Sequence, residues 1–118
     1  MSRAATGSRG EHIAAAYLER AGLTILERNY RCRSGEIDLV ALQGGELVFV
    51  EVRTRAGTAF GTPEESITPH KQRKMADCAF AYLAERGVRS QPWRVDVIAV
   101  ELERDSVKRI DHYRHALQ

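Results

Sequence analysis

A glycine pair, Gly44-Gly45, separates two apolar-rich runs and constrains the fold more than any other stretch of the chain. Both central residues of a type I′ turn need φ > 0, so a Gly-Gly pair between apolar runs predicts a β-hairpin with a two-residue loop. A slip of one residue would turn the apolar side chains to the opposite face. The register that this loop imposes instead matches each apolar residue with an apolar partner: Leu42 with Leu47, Ala41 with Val48, Val40 with Phe49, Leu39 with Val50 and Ile37 with Val52.

The same register sets Asp38 directly opposite Glu51. Opposed residues have Cβ atoms about 4.5–5.5 Å apart, and like charges at that distance are destabilising. Arg53 follows Glu51 by two residues and therefore points to the same face. Two facing carboxylates with a cationic neighbour suit a divalent-metal site that polarises a phosphodiester. A half-exposed salt-bridge cluster, which would add Glu36 and Arg55, is the alternative, and spacing alone does not decide between the two.

The composition predicts one globular domain with a single core. The chain has 118 residues, of which 43% are hydrophobic and 29% are charged, as in ordinary soluble domains. A formal net charge of +2 and a pI near 8.7 permit a nucleic-acid partner without indicating one. Arginine greatly outnumbers lysine, which suits phosphate contacts, although an arginine-rich genome would give the same bias. We expect residues 1–7 to be disordered and residues 8–118 to form the domain.

The two cysteines, Cys32 and Cys78, argue against a zinc site, because they form no CxxC pair and have no clustered histidines nearby. Cys78 falls in an apolar helical stripe, so we expect it in the core. The sequence contains no signal-peptide core and no long apolar segment. These features favour a reducing, cytoplasmic setting without membrane contact.

The first helix is predicted from a capping box. Ser8 and Glu11 match this pattern, and Gly22 is a suitable terminator for a helix that runs to about Ala21. Glu11 also lies at the head of the apolar stripe of this helix, pointing toward the sheet. Glu11 is therefore either a third metal ligand or the ordinary partner of the capping residue, and both interpretations stay open.

The remaining elements predict an α/β sandwich. A mixed sheet with a central antiparallel hairpin would carry flanking helices. Thr68-Pro69 is a clean helix start, and Gly87 closes that helix after Arg86. Loop residues 56–68 follow the strand that carries Glu51. Outside the hairpin, we expect strands at residues 23–32 and 93–102, and a short edge strand at residues 107–113.

Several basic residues are candidates for contacts with nucleic acid. Lys71 lies on the apolar stripe of the second helix, one turn before Met75, and should point inward along the sheet. The basic N-terminus of this helix could bind a phosphate. Arg73 and Lys74 are explained equally well as solvent-exposed residues of a basic turn. An Arg94–Asp96 pair on the fourth strand is interpreted as structural, with a secondary role near the site as the alternative. The residues predicted to contact nucleic acid are Arg31, Arg33, Arg55 and Lys74.

Nearly the whole chain resembles the YraN-type family of small, uncharacterised bacterial proteins. The pairing of a Gly-Glu-Ile-Asp-Leu motif with a Phe-Val-Glu-Val-basic motif is specific to that family pattern. The matching stretches are Gly10-Glu11, Arg28-Asn29-Tyr30, Gly35-Glu36-Ile37-Asp38-Leu39, Phe49-Val50-Glu51-Val52-Arg53-Thr54-Arg55, Lys71 and Arg94-Val95-Asp96-Val97.

This family is similar to the PD-(D/E)xK nuclease superfamily, close to archaeal Holliday junction resolvases, and the resemblance implies a restriction-endonuclease-like fold. The motif aspartate falls on Asp38, the Glu-x-Lys motif falls on Glu51-Val52-Arg53, and the resolvase helix-one glutamate falls on Glu11. The resemblance implies that these carboxylates and the backbone carbonyl of Val52 bind Mg²⁺ or Mn²⁺. Resolvases work as two-fold dimers, so a homodimer is also an expectation.

The chain departs from the superfamily at the motif lysine, which is Arg53 here. Arginine stays protonated and cannot act as a general base, but it can stabilise developing charge. Lys71 is the candidate for the missing lysine. The resemblance implies an endonuclease that cleaves DNA rather than RNA, with branched or damaged DNA among its substrates. A nucleic-acid-binding or interaction module that keeps the fold without catalysis is the alternative.

Overall fold

A computed structural model describes residues 3–56, 67–104 and 106–117, with side chains described from Gly7 onward and omitted for Ala56. Most of the loop predicted at residues 56–68 therefore lies outside the described residues. The elements are α1 (Arg3–Arg20), β1 (Thr24–Cys32), β2 (Gly35–Gln43), β3 (Glu46–Ala56), α2 (Pro69–Arg86), β4 (Trp93–Glu103) and β5 (Ser106–Tyr113).

The described strands form one mixed sheet in the order β1-β2-β3-β4-β5. Only β3 and β4 pair in parallel, and α2 is the helix that connects them, as parallel neighbours require a crossover. The central hairpin has the predicted register from Gln43 opposite Glu46 to Leu39 opposite Val50. The mixed α/β sheet with a central antiparallel hairpin is therefore confirmed. The predicted type I′ turn is wrong, because Gly44 has φ 61° but Gly45 does not adopt a positive φ.

The two helices cover opposite faces of the sheet, and each face has its own core. Alternating β3 side chains divide between the two cores, since successive residues of a strand point to opposite faces. Fully burying one such aliphatic or aromatic side chain contributes about 1.5–3 kcal/mol. The α1-side core includes Ala14, Leu18, Leu39, Val48, Val50 and Ile98, and the α2-side core includes Val40, Phe49, Met75, Cys78, Tyr82 and Val95.

The ends of α2 are confirmed, whereas the predicted start of α1 is wrong. The Thr68 hydroxyl accepts a hydrogen bond from the Lys71 backbone N–H, and Gly87 adopts a left-handed conformation at the other end. Helix α1 instead begins at Arg3, so Ser8 lies inside it. An Ala-Ala pair precedes Ser8 in the sequence, and alanine is the strongest helix former, which favours this extension over the capping box.

Strand β2 contains an irregularity at the motif aspartate. Ile37 and Val40 both pack in the α2-side core, although residues three apart in a regular strand point to opposite faces. The intervening Leu39 packs on the α1 side, as regular alternation from Val40 requires. The break in alternation therefore falls at Asp38, and such breaks re-aim a side chain. The predicted pairing of Ile37 with Val52 is wrong for this reason, because Val52 packs on the α1 side.

Cys32 and Cys78 form a disulfide between the end of β1 and the middle of α2, with Cα atoms 5.7 Å apart. Cys78 is 1% exposed, which confirms its place in the core. The disulfide itself had no signature in the sequence, because its residues are separated by 46 positions. Among the described residues, neither helix combines the length and apolar character needed to span a membrane.

Candidate metal and phosphate site

Asp38 and Glu51 lie side by side at the end of the β2–β3 ladder. Oδ2 of Asp38 accepts a hydrogen bond from the backbone N–H of Val52 at 2.8 Å, and the carboxyl group of Glu51 is its charged neighbour. Burial first, and then the charge of Glu51, raise the pKa of Asp38 to about 8. The Asp38 carboxyl group therefore keeps its proton at neutral pH.

Two cations contact the buried carboxylate of Glu51, which is 5% exposed. Nζ of Lys71 lies 3.0 Å from its Oε2, and the Arg53 guanidinium lies 3.4 Å from the same oxygen. Lys71 thus points inward from the first turn of α2. A buried carboxylate needs such partners, because an unpaired charge in the interior is costly.

Arg53 retains one donor that is not used within the described part of the chain. Its Nε is buried and has no hydrogen-bond partner there, although its terminal nitrogen contacts Glu51. Buried donors are normally paired, so this nitrogen suits an acceptor from a bound anion. Planar guanidinium groups match phosphate oxygens in that geometry.

Glu11 lies near the pair but is held by another group. Burial, followed by the negative charges of Glu36 and Glu51, raises its pKa. With its side-chain oxygen and nitrogen assigned to satisfy both partners, Asn29 donates to Glu36 at 2.8 Å and to Glu11 at 3.1 Å. Asn29 adopts φ 55°, a conformation that asparagine tolerates better than most residues.

Helix α1 reaches this region through a close backbone contact. Gly10 packs directly against Thr54 of β3, and a Cβ atom at Gly10 would lie 2.8 Å from both Cβ and Cγ2 of Thr54. This approach requires glycine and fixes the position of the neighbouring Glu11. Oγ1 of Thr54 is buried there without a hydrogen-bond partner among the described residues.

The donor set matches a hard divalent cation in chemistry. Carboxylate oxygens and backbone carbonyls are the ligands that Mg²⁺ takes, and a divalent charge would offset the repulsion that raises the pKa of Asp38. Across the described ranges, however, no three side chains of the His, Cys, Asp and Glu types stand close enough to enclose a metal ion. The structure therefore brings Asp38 and Glu51 together, but it does not bring Glu11, the third predicted ligand, into the same group.

The predicted nucleic-acid contacts fall at three separate places. Arg33 and Lys74 line one cleft between the β1–β2 turn and α2. Arg31 is exposed beside Glu36, with 3.5 Å between their charged groups. Arg55 lines a different cleft, formed with β4 and β5. Only Arg33 and Lys74 therefore belong to one continuous surface.

A second charged cluster lies on the α1 side of β4. Nε of Arg94 contacts the fully buried Asp96 at 3.0 Å, which confirms their structural pairing. Nε2 of His112 lies 2.7 Å from Asp96, and Nδ1 lies 3.2 Å from the hydroxyl of Tyr17. Burial acts to raise the pKa of Asp96, but hydrogen bonds from His112, Arg94 and the His115 backbone hold it below its ordinary value. The role of His112 was missed because it depends on the pairing of β4 with β5.

The chain matches a known bacterial family over most of its length. The model of the uncharacterised protein family UPF0102 matches residues 10–100. A UPF0102 protein of Geobacter sulfurreducens is 46% identical over 95% of this chain and 88% of its own length. A relative from Moorella thermoacetica is 51% identical over 88% of this chain and 87% of its own length. As its resemblance to YraN-type proteins predicted, the chain belongs to the uncharacterised protein family UPF0102.

Proposed function

We propose that this protein is a Mg²⁺- or Mn²⁺-dependent endonuclease with a restriction-endonuclease-like fold, which cleaves phosphodiester bonds in DNA. The observation that carries the proposal is the placement of the Asp38 and Glu51 carboxyl groups next to each other, with Lys71 and Arg53 in contact with Glu51. Buried like-charge carboxylates with strongly shifted pKa values are typical of functional sites. Branched or damaged DNA is the substrate class that the resolvase resemblance favours, and the cytoplasm is the proposed location.

Asp38 and Glu51 would hold the cation, together with the Val52 carbonyl and with Glu11 after it leaves Asn29. When bound, the cation would neutralise charge on the phosphate and activate the attacking water. The hydrogen bond from Val52 N–H orients Asp38, so its free oxygen is directed by the backbone rather than by a mobile partner. Metal binding must displace the proton of Asp38, which makes affinity rise with pH.

Lys71 and Arg53 would stabilise the charge that develops on the phosphate. Both side chains are about one-third exposed and reach the same oxygen of Glu51, so the two cations lie at the partly open side of the acidic pair. Preorganised cations aimed at developing charge contribute a large share of catalysis. We assign Lys71 the role of the motif lysine because its Nζ contacts Glu51, although it comes from α2 rather than from the Glu-x-Lys strand.

A non-catalytic nucleic-acid-binding module is the second candidate. Two cations already contact Glu51, and Arg53 replaces the motif lysine, so the charges of the site are largely balanced without a metal ion. This candidate predicts DNA binding that does not respond to Mg²⁺ and gives no cleavage products. The expected homodimer is a separate proposal, which sedimentation analysis tests directly.

The first experiment is a calorimetric titration of Mg²⁺ and Mn²⁺ into the wild type and the Asp38→Ala/Glu51→Ala variant. A Glu101→Ala/Glu103→Ala variant is the matched control, since it removes two carboxylates from β4. Binding should disappear only in the first variant. Linear, supercoiled and four-way-junction DNA would then be tested for cleavage. Absence of metal binding, with DNA present, would favour the non-catalytic module instead.

A further inference from the structure

A basic cleft lies between the turn that joins β1 to β2 and the first turns of α2. Its volume is about 440 Å³. Arg33 supplies a cation from the turn, and Arg73 and Lys74 supply two from the helix, while Asp77 is its one carboxylate among the described lining residues. The remaining lining includes Ser34, His70 and Ala76. Among the described lining residues, positively charged side chains therefore outnumber carboxylates.

The cleft lies next to the proposed metal site. Lys71 and Lys74 are separated by nearly one helical turn, and Nζ of Lys71 is 3.0 Å from Glu51. The β1–β2 turn leads directly into the strand that carries Asp38. Each wall of the cleft therefore belongs to a segment of the chain that also carries a residue of the proposed metal site.

The disulfide joins the two walls of the cleft. Cys32 immediately precedes Arg33 on one wall, and Cys78 follows Lys74 by about one helical turn on the other. The backbone N–H of Ser34 also points to Sγ of Cys32 at 3.3 Å. The covalent bond thus sets how far the arginine of the turn stands from the cations of α2.

We propose that this cleft binds a backbone phosphate of DNA, and that the Cys32–Cys78 disulfide sets its affinity by fixing the separation of the two walls. The proposal rests on the proposed action of the protein on DNA. Phosphate oxygens accept paired hydrogen bonds from arginine forks, and Arg33 and Arg73 supply such forks from opposite sides. Two unbonded sulfur atoms need van der Waals separation, so they must move apart when the bond is reduced. The distance between the two walls of the cleft is then no longer fixed by a covalent bond.

A small dithiol can reduce the bond by two exchange steps. Its thiolate attacks Sγ of Cys32, which is part-exposed, and the buried Cys78 leaves as a thiolate. The second thiol of the reagent then displaces Cys32 and closes a cyclic disulfide. The protein gains two electrons and two protons, and the reagent loses the same number. In a reducing compartment such a bond is typical of redox sensing rather than of permanent structure.

The binding arm of the test measures affinity for a short fluorescent DNA duplex in EDTA, so that cleavage plays no part. Arg73→Ala/Lys74→Ala should bind about tenfold more weakly or worse, and the salt dependence should decrease. Arg20→Ala/Arg89→Ala is the control, because it removes two exposed positive charges elsewhere. Equal losses in both variants would show a general charge effect and overturn the cleft assignment.

The redox arm compares oxidised wild type, dithiol-treated wild type and Cys32→Ser/Cys78→Ser, with thiol alkylation and mass spectrometry to verify each state. Reduced wild type should bind the duplex several-fold more weakly than oxidised protein, and the serine variant should match the reduced protein and ignore the dithiol. Equal affinity of oxidised and reduced protein would overturn the role of the disulfide. If Arg73→Ala/Lys74→Ala weakens DNA binding but the wild type cleaves no DNA, the endonuclease proposal is rejected and the cleft proposal stands. If the wild type cleaves DNA but this variant binds DNA as tightly as the wild type, the cleft proposal is rejected and the endonuclease proposal stands.

Discussion

Oδ2 of Asp38 accepts a hydrogen bond of 2.8 Å from the backbone N–H of Val52, the residue that follows Glu51. The backbone of β3, the strand that carries Glu51, therefore orients the carboxyl group of Asp38. Burial and, after it, the charge of Glu51 raise the pKa of Asp38 to about 8. This arrangement makes the acidic pair sensitive both to pH and to any cation that replaces the proton.

The metal-free protein should lose stability as pH rises through the neutral range. The pKa of Asp38 is raised from 3.8 to about 8 on folding, so between these values the folded state holds a proton that the unfolded state has released. The free energy of unfolding therefore decreases with pH across that window. Urea unfolding in EDTA at pH 5, 7 and 9 measures the effect.

Asp38→Asn should remove most of this pH dependence. Its amide can donate to Glu51 while its oxygen accepts from Val52, as the protonated aspartic acid does. We expect the variant to be more stable than the wild type at pH 9 and inactive in cleavage. Glu103→Gln is an exposed control that should keep the wild-type slope. An unchanged slope in Asp38→Asn would mean that another group titrates.

Mg²⁺ should stabilise the wild type more at pH 8 than at pH 5. A ligand that binds only the folded state stabilises it, and tighter binding gives greater stabilisation. Mg²⁺ competes with the proton of Asp38, so it should bind more tightly at the higher pH. Thermal unfolding with increasing Mg²⁺ at both pH values measures this difference. Asp38→Asn serves as the control, and an equal response in that variant would place the bound ion elsewhere.

Local rules explain why much of the fold was predictable. Gly44-Gly45 and its flanking runs determine the hairpin register, and Thr68, Pro69 and Gly87 determine the ends of α2. Each signal depends on residues within a few positions of each other. The register brings Asp38 close to Glu51, so their proximity was predictable, although the regular pairing ends one residue earlier, at Leu39 and Val50.

Long-range features were not predictable in the same way. The Cys32–Cys78 bond and the His112–Asp96 contact join residues on elements whose packing the sequence does not encode locally. The loss of alternation at Asp38 also escaped, because an irregular strand and a regular strand have the same apolar pattern there. The separation of Arg55 from the other basic residues likewise depends on where β5 lies.

Lys71→Ala should reduce cleavage by about 10²–10³-fold, because it removes a preorganised cation beside the reacting phosphate. Folding should survive, since Arg53 still contacts Glu51. Lys74→Ala is the matched control on the same helix face and should weaken DNA binding more than the cleavage step. Single-turnover cleavage at saturating DNA separates the two effects. Equal loss of the cleavage step in both variants would remove Lys71 from its proposed role.

The disulfide should contribute substantially to stability. Its residues are separated by 46 positions, and closing a loop of that size in the unfolded chain corresponds to about 4 kcal/mol in the chain-entropy treatment. Urea unfolding with and without a dithiol measures this contribution. The Cys32→Ser/Cys78→Ser variant should resemble the reduced protein and show no response to the reagent. A small difference would mean that the reduced unfolded chain already keeps these regions together.

Gly10→Ala should destabilise the protein, although alanine is the better helix former by about 1 kcal/mol. The added Cβ would lie 2.8 Å from both Cβ and Cγ2 of Thr54, so α1 must shift away from β3 at a cost of about 1–3 kcal/mol. Because Glu11 follows Gly10, the shift should also weaken metal binding. Thr54→Gly in the same chain should restore both properties, since it removes the clashing side chain. A double-mutant cycle by urea unfolding tests this, and additive effects would show that the contact does not position α1.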